Sequence, residues 1–386
     1  MIGKKLAVET VQRANDGGGE SLPRILMWGV FLRLLVATWN TWVGPTPGAD
    51  LDALGAHMAA QAVANSGEFL PFKMGTTQYI NFLAGVYVLL CSSQFVGAAM
   101  SVLAWYVGAK ALLEVTRLMA FGGRQRELAT MIYCFMPSAI LLTGVTLRES
   151  YQMALLNLAV LYFLRACLRW GKHNWLYFLA CISVAGTLHG ALLASGILFA
   201  VLAVVCHALL GRRVKMDLRV VPLAVMAVGI LVVGVNFFTT FSYDLSDGLL
   251  SAVELYQDRL LSVDARTHYK EQVNIGSGTD MVLYFAWSLV QYWLEPFPWR
   301  PLTGADVVLV AENVVRLALM VMTISNIRTA QGSERRILIF LALSYLIIEL
   351  TWSFGTINWG TALRHHLPSF GMLVVLGCAY RPKGTR

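Results

Sequence analysis

Three short stretches of this 386-residue chain carry residue types that can do chemistry. GADLDALGAH (48–57) holds Asp50 and Asp52, with His57 about one and a half helical turns further on. VTLRESYQMALL (145–156) sets Arg148 and Glu149 side by side between two apolar runs. NWGTALRHHLP (358–368) holds Arg364, His365 and His366. A carboxylate of the first stretch can take a proton from a hydroxyl. Arginine binds phosphate through two parallel N–H bonds and is permanently charged, so Arg148 and Arg364 read as an anion clamp. Glu149 would orient Arg148, and His365 and His366 would donate or transfer a proton.

Each stretch also has a plainer reading. An Asp at a helix start caps free amide donors, and one suffices. Arg-Glu can be a salt-bridged turn at a membrane surface, although Gly, Asn or Ser would serve a turn alone. His189, in TLHGALLA, lies inside apolar sequence and is either a satisfied core residue or a supporting group. EPFPWRP (295–301) is a rigid, proline-rich loop. Its Trp299 and Arg300, with the preceding Trp293, can meet a sugar or anchor at the interface. Arg259, Arg266, His268 and Lys270 lie among carboxylates and read as solvated surface. No E-x-x-H or H-E-x-x-H pattern supports zinc, and adjacent histidines diverge on a helix. No cofactor is expected, and a divalent metal is not indicated. The six cysteines all lie in apolar segments without ligand spacing and read as small buried hydrophobes.

The elements that must position these residues are membrane helices. The chain is 57% hydrophobic, 13% charged, with mean hydropathy +0.62, against about 25% charged in soluble domains. Repeated apolar runs of bilayer-spanning length predict an all-α polytopic membrane protein. Most of the 30 basic residues cluster in short loops, which the positive-inside rule places in the cytoplasm. No nucleic-acid partner is expected from charge so placed. About ten crossings follow: 25–43, 94–119, 128–145, 151–168, a tight pair within 175–210, 220–238, 307–326, 337–353 and 367–380. Segments 79–92 and 281–294 are apolar but read as interfacial or re-entrant, because a full crossing at 79–92 would put GGRQRE outside. This gives a cytoplasmic tail 1–24, read as lacking a cleaved signal, and one transmembrane domain over 25–380. The domain carries outer loops 44–93 and 239–306, and a cytoplasmic tail 381–386 follows. All the candidate chemistry then faces outward.

The order of parts resembles the GT-C superfamily of integral-membrane glycosyltransferases, among them exopolysaccharide and O-antigen-polymerase-like members. The resemblance rests on an acidic first outer loop with Asp50 and Asp52, a Tyr-led interfacial helix, a proline helix ending in Arg148-Glu149, the PFPW loop and GTALRHH. It implies a polyprenyl phosphate or diphosphate sugar donor, membrane lipid, and polysaccharide assembly proteins as partners. It also implies chemistry at the periplasmic face of a bacterial inner membrane and an acidic residue in the first outer loop, carried onto Asp50 or Asp52. Here the pair is Asp-Leu-Asp without the adjoining acidic or aromatic residues of many members, so Asp52 and Asp50 both stand as the catalytic carboxylate. The expected role is a repeat-unit polymerase, against a single-sugar transferase. From another class, a lipid-linked oligosaccharide flippase or carrier would need charges along a path through the membrane. Arg33, Glu312, Arg316 and Glu349 lie in or near apolar spans. A structural subunit would not need the outward polar clusters.

The charge placement makes a topological prediction. Cysteine-accessibility labelling should reach the THYKEQ segment (267–272) from outside and position 124 only from the cytoplasm. Labelling of both from one side would break the parity count and the re-entrant reading of 79–92.

Overall fold

A computed structural model describes residues 21–169, 172–210, 267–270, 277–300 and 303–379. The expected helix 220–238, most of loop 239–306, Arg259, Arg266 and both tails lie outside them. Thirteen helices run through the described residues. In chain order they are α1 (Ser21–Trp42), α2 (Asp50–Ser66), α3 (Thr76–Leu89), α4 (Gln94–Leu118), α5 (Gly123–Phe135), α6 (Pro137–Thr143) and α7 (Glu149–Arg169). Then follow α8 (Lys172–Leu188), α9 (Gly190–Leu210), α10 (Gly278–Leu294), α11 (Gly304–Thr329), α12 (Gly332–Gly355) and α13 (Trp359–Cys378). Five of these, α1, α4, α7, α11 and α12, are long and apolar enough to cross a membrane, and α9 and α10 contain shorter apolar stretches. The 14-residue α3 is too short to span a bilayer of about 30 Å at 1.5 Å per residue.

One expected crossing is divided. The run 128–145 is not a single helix, because Pro137 has no amide proton to continue α5. Met136 leaves the helical region (φ −60°, ψ 119°), and Pro137 starts α6 at its first position. The new helix start needs an acceptor. Glu312 of α11 supplies it, taking the Ser138 amide at 2.6 Å and the Ser138 hydroxyl at 2.6 Å. Glu312 also pairs with Arg316 at 3.1 Å, and Arg316 reaches Asn313 at 2.7 Å. All three side chains are buried. The α5–α6 break is thus fixed by a carboxylate 174 residues away.

Helices approach closely where side chains are small, which is how membrane helices gain packing without a hydrophobic drive. A Cβ on Gly108 of α4 would stand 2.9 Å from the Ala154 backbone of α7. Asn157 of α7 then donates to the Gly108 carbonyl at 3.2 Å and to the Tyr133 hydroxyl at 2.9 Å. Arg33 of α1 is fully buried against the Trp105 ring, donating to Thr143 at 2.7 Å and to the Gly29 and Cys134 carbonyls.

The last helix begins eight residues before the expected 367–380. Asn358 caps it by accepting the Thr361 amide at 2.7 Å. The start is held from three sides: Trp359 donates to Asp306 of α11, the Trp359 amide to the Thr267 carbonyl, and the Tyr269 amide to the Ile357 carbonyl. Residues 267–270 therefore lie along the α12–α13 turn.

Because Glu312 is the sole carboxylate hydrogen-bonded to Arg316 among the described residues and also caps α6, its loss should be severe. Glu312→Ala is expected to cost about 3–5 kcal/mol of stability, the usual cost of stranding one partner of a buried pair. The double variant Glu312→Ala with Arg316→Met should recover part of it. Unfolding of the detergent-purified protein measures both. An unchanged midpoint in the single variant would contradict the capping role.

Candidate active site

Four elements meet at one polar cluster: α2, the turn before α7 with the start of α7, the α8–α9 turn and the first turns of α13. Arg364, on α13, is the link. Its guanidinium bonds to the Asp52 carboxylate of α2 and to Glu149 of α7, with Nε at 3.1 Å and Nη2 at 3.0 Å from Glu149 Oε1. The two acids differ in setting. The Asp52 side chain is 63% exposed and that of Glu149 is 5% exposed. Glu149 Oε2 is buried and has no hydrogen-bond partner among the described residues. Asp52 does not cap α2, whose first-turn amides receive no side-chain cap from Ala49. Asp50 stands at the first position of α2, two residues before Asp52.

Glu149 does not orient Arg148. It turns to Arg364 instead. Arg148 donates to the Thr76 hydroxyl at 2.9 Å and the Leu188 carbonyl at 3.3 Å. It makes no ion pair with a carboxylate among the described residues. Burial lowers its pKa from the ordinary arginine value, with Glu149 opposing and Arg364 adding to the fall. The segment that receives it is pinned locally: Gly75, at φ +98°, donates its amide to the Thr187 carbonyl at 2.8 Å.

The histidines separate. His365 and His189 both rest on the Trp352 ring, at 3.8 Å and 4.2 Å between centroids, and stand 6.0 Å from each other. His189 is pushed down to about 3, by burial first and then by Arg148 and Arg364, so it is neutral at physiological pH. His366 points elsewhere. It meets Glu349 of α12 at 2.8 Å and the Tyr292 carbonyl at 3.0 Å, and Glu349 also takes Ser369 at 2.5 Å and Trp293 at 3.1 Å. His366, expected in the anion clamp, is thus an interior residue that ties α13 to α12 and α10. Adjacent residues on a helix point about 100° apart, so His365 and His366 cannot share a site. His57 meets the Tyr87 hydroxyl at 2.8 Å, and burial lowers its pKa. Arg300 pairs with Glu295 at 2.6 Å, and Trp299 stacks on Phe297 at 4.9 Å, so the PFPW loop forms its own cluster. Among the described residues no group of three or more His, Cys, Asp or Glu is placed to hold a metal ion. Thr76, Trp352 and Thr356 belong to the site and carry no charge or motif that would have marked them in the sequence.

The described residues are all-helical, and the chain is a multi-pass membrane protein. It is similar to the crystal structure of ArnT from Cupriavidus metallidurans bound to undecaprenyl phosphate, at 12% identity and a TM-score of 0.51. The likeness covers 94% of this chain and 60% of that one, so the chain spans well under the full length of that protein. No protein-family model and no curated protein matches the sequence.

Lys270, expected as solvated surface, is buried beside this site. Its ammonium donates to the Ser353 carbonyl at 2.5 Å and lies 5.5 Å from the Tyr284 ring. Burial lowers its pKa from 10.5 to about 7. A lysine depressed on folding binds its proton more tightly in the unfolded chain, so stability rises with pH between about 7 and 10.5. Denaturation midpoints across that window should climb in the native protein. They should lose most of that climb in Lys270→Met; an equal climb in both would place the linkage elsewhere.

Proposed function

We propose that this protein is a membrane glycosyltransferase that takes sugar from a polyprenyl phosphate or diphosphate carrier at the periplasmic face of a bacterial inner membrane. The observation that carries this is Arg148, a half-buried guanidinium with no carboxylate partner among the described residues, set beside Arg364. Two guanidiniums at the end of a helical bundle suit a phosphate headgroup whose lipid tail stays in the bilayer. The fold agrees, since the similar ArnT structure holds undecaprenyl phosphate.

The reaction follows from the groups. An acceptor hydroxyl attacks the anomeric carbon of the bound sugar. The bond from that carbon to the phosphate oxygen breaks, and its electron pair leaves with the phosphate. Arg148 and Arg364 stabilise the charge that develops there. The hydroxyl proton passes to Asp52, the more accessible of the two carboxylates that share Arg364. Phosphate leaves readily, so no separate general acid is required.

Polymerisation of repeat units from a diphosphate carrier is the reading the sequence resemblance favours. Single-sugar transfer from a monophosphate carrier is the second, and the undecaprenyl phosphate in the ArnT structure favours it. Against a carrier, the intramembrane charges are engaged locally: Arg316 with Glu312, and Glu349 with His366. Arg33 is held by Thr143 and two carbonyls.

Product formation from purified lipid-linked donors tests the reading. Arg148→Ala and Arg364→Ala should abolish transfer while the protein still enters the membrane. Lysine at either place should restore little, because a point charge lacks the planar fork. Asp52→Asn keeps shape but cannot take the proton, and the rate should fall about 10²-fold or more. A near-normal Asp52→Asn rate would move proton transfer to Glu149. Full activity of both Ala variants would end the phosphate assignment. Product length, one sugar or many, separates the two transferase readings.

A further inference from the structure

The two site histidines have their protons fixed by their neighbours, in opposite senses. The Thr356 hydroxyl lies 2.7 Å from the Trp352 carbonyl and 2.7 Å from His365 Nδ1. A hydroxyl has one proton, and a carbonyl cannot donate. The Thr356 proton therefore goes to Trp352, and His365 Nδ1 must carry a hydrogen that Thr356 accepts. If instead Thr356 donated to His365, two oxygen lone-pair sets would face each other at 2.7 Å. On His189 the pattern reverses. Its Nδ1 accepts the Ala191 amide at 3.2 Å, so Nδ1 carries no hydrogen and Nε2 does. Neither Nε2 has a hydrogen-bond partner among the described residues. His189 thus offers a donor, and His365 offers an acceptor.

These two imidazoles sit 6.0 Å apart on one aromatic wall, Trp352, within the Arg148–Arg364 cluster. The 6.0 Å is a distance between ring centroids, short enough for one oxygen to bond both rings where their Nε2 edges face a common space. A group that accepts at its oxygen and donates its hydrogen is a hydroxyl. A phosphate oxygen anion can only accept and would leave the His365 acceptor unmet. We propose that His189 and His365 form a subsite for one hydroxyl of the sugar carried next to the phosphate, with Thr356 as the positioning residue that sets the His365 tautomer. The proposal rests on the glycosyltransferase reading, and it removes both histidines from the anion clamp.

The test compares two probes on the full-length, detergent-purified chain: undecaprenyl phosphate, and undecaprenyl phosphate bearing one hexose. The native protein should bind the hexose-bearing lipid roughly three- to tenfold more tightly, the worth of about one net hydrogen bond. His365→Phe and Thr356→Val should each erase that increment and leave affinity for the bare lipid within about twofold. Thr356→Ser keeps the accepting hydroxyl and should keep the increment, which separates tautomer control from misfolding. Nitrogen-15 spectra of the native protein should show hydrogen on Nδ1 of His365 and on Nε2 of His189. An imidazolium at His365, the opposite tautomers, or a loss of bare-lipid affinity in His365→Phe as large as that in Arg364→Ala would overturn the subsite. Binding is read without turnover, so the two readings fail separately. An increment that behaves as described in a protein that transfers no sugar would sink the transferase reading and keep the subsite. Turnover with an increment untouched by His365→Phe would do the reverse.

Discussion

Arg364 holds together carboxylates that are 97 positions apart in number, Asp52 and Glu149, and it does so from a third helix near the end of the chain. One planar cation with two hydrogen-bonding edges can serve both acids at once, which a lysine cannot do in the same geometry. The site therefore exists only when α2, α7 and α13 are docked. Everything that fixes the start of α13 becomes part of the site at one remove. Asn358 caps the helix, Trp359 is tied to Asp306, and His366 one residue beyond His365 is locked onto Glu349. The stretch 267–270 closes over the same turn through the His268–Asn358 bridge and the Tyr269 and Lys270 bonds to the 353–357 backbone.

The charges deeper in the bundle follow the same economy. A buried ion pair seldom adds net stability over a well-packed apolar pair, but breaking one is costly. Such pairs suit a scaffold that has to hold one arrangement. Glu312 is used twice, once on Arg316 and once on the amide that Pro137 leaves exposed at Ser138. The proline break matters because α6 and the turn after it deliver Arg148 and Glu149 to the bundle end. A straight helix through 128–145 would carry the chain along one axis and give the Arg-Glu pair a different approach. Glu349 is satisfied by three donors, from His366, Ser369 and Trp293, and so binds α13 to both α12 and α10.

Hydropathy made the long elements legible. The spans near 25–43, 94–119, 151–168 and 307–326 correspond to helices whose bounds move by only a few residues. Charge and residue type also pointed to Asp52, Glu149, Arg148 and Arg364, which the fold brings to one place. What the sequence hid was partner choice. Arg148 and Glu149 are neighbours in the chain, yet Glu149 is the first residue of α7 and Arg148 lies just outside it, so their side chains leave in different directions. The same geometry separates His365 from His366. Thr356, Trp352 and Thr76 have no charge and no motif, and their roles depend on contacts with residues in other helices. Pro137 was visible within a run read as one crossing, but the break it makes is fixed by Glu312, which lies 174 positions from Ser138.

The electrostatic balance of the cluster explains why its histidines are neutral. Arg364 is matched by two carboxylates, and Arg148 adds a second positive charge without a direct pair. A protonated imidazole would be a third cation, taken out of water beside two others. His189 avoids this, held near 3 by burial and by both arginines, with its Nδ1 committed to the Ala191 amide. The positive work of the site is thus left to the guanidiniums, which stay charged at any relevant pH. The imidazoles are left with a single donor and a single acceptor, and that polarity is directional where a cation's attraction is not. A headgroup that combines an anion with neutral hydroxyls, as a sugar phosphate does, presents both kinds of partner at the spacing of a few ångströms over which these four side chains are set.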